Sequence, residues 1–220
     1  MISLKYHKIQ SVFKRDDSGN FILGDWSTRE IEFLSKQQWV GTEKIDGTNI
    51  RIALSPTEPI EVGGRKDNSQ IPTFLMKRLE ELFPLFSTDK IFRGKIFNDE
   101  AKVILVGEGF GKKIQKVGSM YIPDGTDFIL FDVNINGWWL TRENVDIVAN
   151  KIGIKSVPVI FKGTLLEAIE LIKHDPPKSI FSEELTGEGM VLVPAVELRS
   201  RSGERIITKV KVKDFAKKGV

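Results

Sequence analysis

Cysteine is absent from this sequence of 220 residues. Its absence excludes disulfide bonds, thiolate metal sites and cysteine nucleophiles, so any catalysis must use other side chains. Long apolar runs are absent too, because no stretch approaches the roughly 20 apolar residues that a membrane-spanning helix needs. Residues 1–8 also lack the continuous apolar core of a signal peptide. We therefore expect a cytoplasmic protein that does not enter a membrane.

A large excess of charge of one sign is also absent. Lys and Arg together number 33 and Asp and Glu 30, which gives a formal net charge of only +3. A nucleic-acid interface would therefore have to be a local basic patch. With 40% hydrophobic residues, the chain can bury a substantial core. Finding no repeat, low-complexity tract or clear linker, we expect residues 1–220 to form one α+β domain of antiparallel sheets flanked by helices.

Turn signals and apolar periodicity predict the main elements. Hairpin turns are expected at residues 16–20, followed by a short helix, and at residues 136–137. Three longer helices are expected from their capping residues, helical spacing and terminating Gly or Pro residues: Thr73 to Pro84, Thr141 to Gly153, and Thr164 to Pro176. Buried or alternating apolar runs predict strands at 50–54, 103–106, 128–133, 189–194 and 206–213.

Residues 107–113 are expected to form a glycine-rich loop after a buried strand. This loop invites comparison with nucleotide-binding motifs, but neither standard motif fits it. Lys112 occupies the place of the third glycine of a dinucleotide-binding fingerprint, and neither Ser nor Thr follows Gly111 and Lys112 as a Walker A motif requires. We therefore exclude both motifs.

Residues 43–49 have the sequence Glu-Lys-Ile-Asp-Gly-Thr-Asn. They lie between a short apolar segment and a run in which apolar residues occupy every second position. Lys44 is suited to covalent catalysis, because a neutral amine can attack an electrophilic phosphorus if its surroundings favour loss of the proton. A plainer interpretation is a hairpin turn at Asp46 and Gly47, with Lys44 in solvent. This segment alone favours the hairpin.

Four polar sites are expected at strand ends: Lys44, Glu108, Glu188, and the pair of Lys209 and Lys211. The two-residue period of a strand places Lys209 and Lys211 on one face. The alternative for these lysines is an edge strand whose charges discourage aggregation. For Glu108 and Glu188 the alternative is a solvated loop carboxylate. Each alternative is at least as strong as a functional role when its site is considered alone.

Taken together and in this order, the segments resemble the covalent nucleotidyltransferases, and most closely the ATP-dependent RNA ligases of the phage RNA ligase 2 type. The resemblance covers about residues 39–213 and rests on six short motifs. These are Lys-Ile-Asp-Gly at 44–47 followed by Thr48 and Asn49, Arg65, Gly-Glu-Gly around Glu108, Phe-Asp-Val from Phe131, Glu-Gly-Met-Val-Leu from Glu188, and Lys-Val-Lys at 209–211. Six motifs in the family's order reverse the preference for a simple hairpin.

The resemblance implies that Lys44 attacks the α-phosphorus of ATP and forms lysyl-AMP. AMP would then pass to an RNA 5′-phosphate, and an RNA 3′-hydroxyl would displace it to seal the strand. Lys209 and Lys211 would favour the neutral form of Lys44 and offset charge on the α-phosphate. Glu188 would be the acid linked to Mg²⁺, directly or through water.

The resemblance also implies a set of nucleotide contacts. Phe131 would stack on adenine, although a core aromatic is the alternative for this residue. Glu108 would bind the ribose hydroxyls, Arg65 phosphate or ribose, and Asn49 would be a hydrogen-bonding residue of the active site. Glu43 and Ile45, which flank Lys44, are expected to contact the nucleotide.

Alternatives remain for the activity and for the grip on RNA. The chain could be a DNA ligase or capping-type enzyme of the same superfamily, or a nucleotide-binding module that acts with a partner. Only residues 212–220 follow Lys211, so we expect neither an OB-fold nor a C-terminal helical domain. We expect a monomer, in the host cytoplasm if it is phage-encoded, with RNA grip from local basic clusters or from a partner protein. The candidate clusters, each of which could instead be ordinary solvated surface, are Lys112, Lys113 and Lys116; Arg199, Arg201 and Arg205; and Lys217 and Lys218.

Overall fold

The computed structural model describes residues 6–66, 68–87, 89–98 and 100–216. These residues form two compact units: the first contains Tyr6, His7 and residues 46–157, and the second contains residues 8–45 and 158–216. A single domain over residues 1–220 stays a prediction. The basic cluster of Lys217 and Lys218 lies outside the described residues. No helix in the described ranges has the length and apolar character needed to cross a membrane.

Groups of strands are separated by helices along the chain. The strands are β1 (Gln10–Ser11), β2 (Phe13–Arg15), β3 (Phe21–Trp26), β4 (Gln38–Glu43), β5 (Thr48–Leu54), β6 (Glu61–Gly64), β7 (Val103–Gly111), β8 (Thr126–Ile135), β9 (Trp138–Trp139), β10 (Val159–Thr164), β11 (Lys178–Ser179), β12 (Ser182–Thr186), β13 (Gly189–Pro194) and β14 (Thr208–Lys211). The α-helices are α1 (Arg29–Leu34), α2 (Thr73–Leu82), α3 (Gly118–Tyr121), α4 (Arg142–Ile152) and α5 (Leu165–His174). Short 3₁₀ turns span Phe83–Phe86 and Val212–Asp214, and a π-helical turn spans Asp89–Arg93. This mixture confirms the α+β class.

The first unit is built on an antiparallel sheet with the strand order β6-β5-β7-β8-β9. Strand β5 contributes Ile50 and Ile52 to its core, and both side chains are fully buried. Helix α2 adds Leu75 and Leu79, which are four residues apart and therefore lie on one helical face. This core fixes the strands that carry Asn49, Glu108 and Phe131.

The prediction of a glycine-rich loop at 107–113 is wrong for residues 107–111, because β7 continues through Gly111. Glycine is needed at position 107 for close packing, since a Cβ there would lie 2.3 Å from the carbonyl oxygen of Ile129. A glycine required by sheet packing looks the same in sequence as one required by a turn. Glu108 therefore lies within a strand, and its expected position at a strand end is wrong.

The second unit is built on a sheet with the order β1-β14-β13-β4-β10. All neighbours in this sheet are antiparallel except β1 and β14, which are parallel. Its core packs Trp39, Leu192 and Val210 against Leu165 and Ile172 of α5. The expectation of antiparallel sheets therefore holds apart from one short parallel pair.

Most of the expected local elements are present. Strands β2 and β3 form the hairpin around residues 16–20, and Thr28 caps the short helix α1. Gly153 ends α4 in the left-handed conformation with φ of 90°. Thr164 and Glu167 form the expected capping box of α5, whereas Thr141 precedes α4 without a capping bond from its side chain. The predicted strand at 206–213 is shorter, because only Thr208–Lys211 is paired as β14.

Two of the plainer alternatives are wrong. Strand β4 pairs with β13 and β10, while β5 pairs with β6 and β7, so Asp46 and Gly47 do not connect the strands of a hairpin. Strand β14 lies between β1 and β13, and β1 pairs with it at Thr208 and Lys209, so Lys209 does not lie on an open edge. Edge protection therefore cannot explain Lys209.

Candidate active site

Three neighbouring strands of the second unit bring Lys44, Glu188 and Lys211 to one end of the sheet. Lys44 directly follows β4, Glu188 directly precedes β13, and Lys211 is the last residue of β14. Because β13 is antiparallel to both neighbours, the ends of β4 and β14 meet its beginning. The Lys44 backbone N–H donates to the carbonyl oxygen of Gly189 at 3.0 Å, which continues the pairing past β4.

Gly189 allows this close approach. Its φ is 150°, and a Cβ at this position would lie 2.1 Å from the carbonyl oxygen of Val210. Gly189 lies opposite Lys211 in this register, and the register therefore requires a glycine directly after Glu188.

Glu188 joins the two lysines through its two carboxylate oxygens. Lys44 donates to Oε2, and Lys211 donates to Oε1 at 2.5 Å. The three side chains are largely enclosed, with 20%, 13% and 17% of Lys44, Glu188 and Lys211 exposed. Burial raises the pKa of Glu188, but the charge of Lys44 and the hydrogen bonds from both lysines outweigh burial and hold the pKa below its usual value. The carboxylate is therefore charged at neutral pH.

Lys209 lies half-buried beside this network and has no carboxylate within ion-pair distance among the described residues. Burial, followed by repulsion from Lys211 and Lys44, lowers the pKa of Lys209 to about 8. Three cations thus surround one carboxylate, and the site carries a net positive charge. This arrangement suits an anionic ligand such as a phosphate group.

The Glu43 carboxyl group points into the protein and not into this cluster. Its side chain is 2% exposed, and Oε2 accepts a hydrogen bond from the backbone N–H of Ile180 at 3.2 Å. Burial raises the pKa of Glu43 above its usual value. Ile45 is also buried, at 3% exposure. Nucleotide contacts from these two residues, which stay predictions, would have to come from the backbone.

Asn49 and Glu108 are paired residues in the sheet of the first unit. They lie opposite each other on β5 and β7, so their side chains project from the same face. The Asn49 Oδ1 atom is buried without a hydrogen-bond partner among the described residues. Because a buried acceptor without a partner is costly, this atom is suited to receive a donor from a ligand. The nucleotide roles of both residues stay predictions.

Phe131 is the extra residue of a β-bulge. Val106 pairs with Asp132 and Gly107 pairs with Leu130, which leaves Phe131 without a partner on β7. Bulges redirect side chains and are common beside active sites. Phe131 is only half-buried, and its ring lies 5.4 Å from that of Tyr6. A core position for Phe131, the plainer alternative, is therefore not what the structure shows.

Two residues that the sequence did not indicate support the bulge. Arg142 donates to the carbonyl oxygen of Phe131 at 3.0 Å and contacts Asp146 at 2.5 Å. Tyr6 donates to Oδ2 of Asp132 at 2.6 Å. The contact of Tyr6 with Asp132 spans 126 residues, so no local motif could have revealed it. Arg65 lies directly after β6 and is exposed, and its predicted phosphate or ribose contact stays a prediction.

The carboxylates of the site do not form a cage for a metal ion. The described ranges contain no group of three or more His, Asp or Glu residues that could hold one. Glu188 is a lone carboxylate whose oxygens already contact Lys44 and Lys211. This donor set fits Mg²⁺ or a similar hard cation that keeps most of its waters and is bound mainly through substrate phosphates.

Comparison with known proteins identifies similar chains. The model of a family described as RNA ligase matches residues 37–211. Among solved structures, a variant of Naegleria gruberi RNA ligase with ATP and Mn is 18% identical, with a TM-score of 0.62 over 94% of this chain and 57% of that one. The same ligase with PPi is 20% identical, with a TM-score of 0.60 over 94% and 61%. A variant with AMP and Mn is 18% identical, with a TM-score of 0.59 over 92% and 60%.

At this identity the solved structures show a shared fold, and the present chain spans less than two thirds of their length. No curated protein matches the chain. The matched range of the family model contains every candidate site residue, from Glu43 to Lys211.

Proposed function

Since the chain belongs to the RNA ligase family, we propose that it is an ATP-dependent RNA ligase that works through a covalent lysyl-AMP. The observation that carries this proposal is the cluster of Lys44, Glu188 and Lys211, with Lys209 beside it. It combines a candidate nucleophile with cations that can bind phosphate. We further propose RNA with 5′-phosphate and 3′-hydroxyl ends as the substrate.

In the first step, Lys44 Nζ forms a bond to the α-phosphorus of ATP, the bond from that phosphorus to the bridging oxygen breaks, and pyrophosphate leaves. The amine must lose its proton before it attacks. Lys44 Nζ donates to Glu188 in the structure, so attack requires this contact to be broken. Lys209 and Lys211 then offset negative charge on the α-phosphate in the transition state.

In the second step, AMP passes from Lys44 to the RNA 5′-phosphate and leaves the lysine free. In the third, the RNA 3′-hydroxyl attacks that phosphate, and AMP is released as the strand is sealed. A bound divalent metal, which we propose to be Mg²⁺, would neutralise phosphate charge and compete with Lys44 for Glu188. The solved relatives with ATP and Mn, with AMP and Mn, and with PPi support ATP and a divalent cation as ligands.

We assign the nucleotide contacts by the same reasoning. Phe131, freed from strand pairing by the bulge, would stack on adenine. Asn49 would accept a hydrogen bond through its unpartnered Oδ1, and Glu108 would bind the ribose hydroxyls. Arg65 would bind phosphate or ribose.

Covalent labelling tests the proposed function. The protein is incubated with ATP or GTP labelled at the α-phosphate and separated on a denaturing gel. We expect an AMP label that is lost in Lys44→Ala and kept in Lys162→Ala, since Lys162 is exposed on β10 and makes a matched lysine control. A GMP label would indicate a capping-type enzyme, and absence of label would indicate a nucleotide-binding module. A labelled protein that seals nicked DNA but not RNA would be a DNA ligase.

A further inference from the structure

A large basic cavity lies in the second unit beside Lys209 and Lys211. Its volume is about 1060 Å³. Seven basic side chains line it, and Asp214 is its single acidic lining residue. We call it the basic pocket and define it by Lys8, Lys14, Arg15, Lys209, Lys211 and Lys213. Basic residues thus outnumber acidic ones by seven to one in the lining of the pocket, whereas the formal charge of the whole chain is only +3.

Three of the seven cations, Lys8, Lys209 and Lys213, have no carboxylate within ion-pair distance among the described residues. The other four pair with a carboxylate: Lys14 with Asp25, Arg15 with Asp214, Lys173 with Glu170 and Lys211 with Glu188. Lys8 and Lys213 are both exposed. Repulsion from Lys8 also contributes to the lowered pKa of Lys209. Gathering like charges without counter-charges costs free energy, which a bound polyanion would recover.

The basic groove of the first unit has fewer cations than the basic pocket. Its volume is about 460 Å³, and Lys112 and Lys113 are among its lining residues. Lys112 is paired with Asp124 at 2.9 Å. Arg78, on the same groove, contacts Glu81 and Asp127, both at 3.1 Å. Four basic and two acidic residues line this groove, whereas seven basic residues and one acidic residue line the basic pocket. The groove is therefore the weaker candidate for phosphate binding, although it contains two of the lysines that the sequence singled out.

The basic pocket also offers a planar surface. The Arg15 guanidinium group lies over the ring of Phe21, 4.5 Å from its centroid. Arg15 is held there by the carbonyl oxygen of Gly19 at 2.8 Å and by Asp214 at 2.9 Å. Unpaired bases of RNA stack on aromatic rings and on guanidinium planes, and their phosphates bind lysines along the same groove.

Size and position favour an RNA strand over pyrophosphate alone. The pocket lies at the upper end of the range of about 300–1,000 Å³ that is typical for whole small-molecule ligands, and two phosphate groups would leave most of it empty. Lys209 and Lys211 line the pocket and also belong to the cluster around Lys44. A strand lying in the pocket would therefore lie beside Lys211, whose partner Glu188 also contacts Lys44.

We propose that the basic pocket is the RNA-binding groove of this chain, and that Lys8 and Lys213 bind backbone phosphates of the strand to be sealed. This proposal rests on the proposed ligase function, and it assigns the RNA grip to residues outside the six motifs. Arg15 provides a stacking surface within the same groove.

The test measures binding of a fluorescent, 5′-phosphorylated single-stranded RNA across a salt series, without ATP or metal. For single strands, each phosphate contact contributes about 0.7 to the slope of log affinity against log salt. We expect the double variant Lys8→Gln, Lys213→Gln to lower this slope by about 1.4, and Lys213→Gln alone by about 0.7. Lys213→Arg should keep the slope. The matched control, Lys77→Gln with Lys162→Gln, removes two exposed cations that do not line the basic pocket and should leave the slope unchanged.

An unchanged slope in the pocket double variant, or an equal fall in the control, would overturn the proposal. Reversal of lysyl-AMP formation by added pyrophosphate provides a second arm. If the pocket variant weakens pyrophosphate binding in this assay while the RNA slope is unchanged, the pocket serves the leaving group and the proposal is wrong. Because RNA binding is measured without chemistry, loss of AMP labelling in the parent chain would refute the ligase function and leave the RNA result interpretable.

Discussion

At the scale of single residues, Lys209 gives the candidate site a measurable pH dependence. Its pKa is about 8 in the folded chain, well below the ordinary value of 10.5. Between these two pH values the unfolded chain binds more protons at this residue, so stability rises with pH as Lys209 loses its proton. Below pH 8, Lys209 is charged in the folded chain as well, and burying that charge lowers the free energy of unfolding by its full amount.

We therefore expect the urea midpoint of the parent chain to rise between about pH 8 and pH 10, relative to Lys209→Gln, which removes this group. The comparison cancels the titration of all other lysines and tyrosines. Midpoints are measured at intervals of half a pH unit by circular dichroism. Parallel curves for the two proteins would show that the charge of Lys209 carries no cost in the folded state.

Glu188 differs from Lys209 because two lysines hold it. The variant Glu188→Gln keeps the size of the side chain but leaves Lys44 and Lys211 without a counter-charge. If the carboxylate also helps to place the metal, adenylylation should fall about 10- to 100-fold at limiting Mg²⁺ and partly recover at high Mg²⁺. The rate of AMP labelling across a Mg²⁺ series measures this. A loss of equal size at every Mg²⁺ concentration would assign Glu188 to the lysines alone.

At the scale of elements, the bulge in β8 controls the candidate adenine contact. Truncation in Phe131→Ala should raise the KM for ATP in adenylylation about 5- to 150-fold, since stacking on an aromatic ring contributes about 1–3 kcal/mol per base. Phe131→Trp should largely preserve the KM. Trp138→Ala is the control, because Trp138 is 70% exposed on β9 in the same sheet. A KM that rises equally in the control variant would argue against a specific stack.

The pairing of β13 with β14 is equally open to test. Gly189→Ala places a Cβ against the carbonyl oxygen of Val210, so we expect the free energy of unfolding to fall by about 3 kcal/mol or more. Gly203→Ala is the matched control: its φ is 84° but nothing lies within 4 Å of the added atom, so it should cost only about 1–2 kcal/mol. Chemical denaturation of both variants gives the difference. Similar losses would indicate that backbone conformation alone, and not the close strand contact, requires glycine.

Elements with complete local signals could be predicted from the sequence, and those that depend on distant partners could not. The capping box of Thr164 and Glu167 is contained in four residues, and its helix is present. By contrast, the continuation of β7 through Glu108 depends on pairing with β5 and β8, and its glycines suggested a loop. The bulge at Phe131 likewise arises from a shift in register between two strands, which no run of adjacent residues encodes.

The candidate site divides in the same way. Lys44 follows the last residue of β4, and Glu188 precedes the first residue of β13. The apolar runs beside them made these positions predictable. The inward direction of the Glu43 carboxyl group was not predictable, because its partner, Ile180, lies 137 residues away. The basic pocket was also missed, since its cations come from residues 8–15, 173 and 209–213 and form no run in the sequence.

At the scale of the whole molecule, the net charge is small but the basic side chains are concentrated in one pocket, and salt should therefore affect the two proposed activities differently. In the proposed mechanism, adenylylation needs ATP, a metal and the cluster around Lys44, whereas sealing also needs RNA to be bound. We expect sealing to fall steeply with added salt and lysyl-AMP formation to change much less, because each phosphate contact adds about 0.7–0.9 to the salt slope. Both rates are measured at fixed Mg²⁺ over one salt series. Parallel declines would indicate a general effect of salt on the active site.

The parallel pairing of β1 with β14 also determines when, during synthesis, the candidate site can form. The Thr208 hydroxyl donates to the carbonyl oxygen of Gln10, across 198 residues of chain. Strand β1 cannot join this sheet until β14, near the end of the described residues, has been synthesised, because β14 lies between β1 and β13. Residues 46–157, a continuous segment, can fold much earlier. A nascent or truncated chain that lacks β14 would also lack Lys209 and Lys211, so the candidate site would be complete only after Lys211 has left the ribosome.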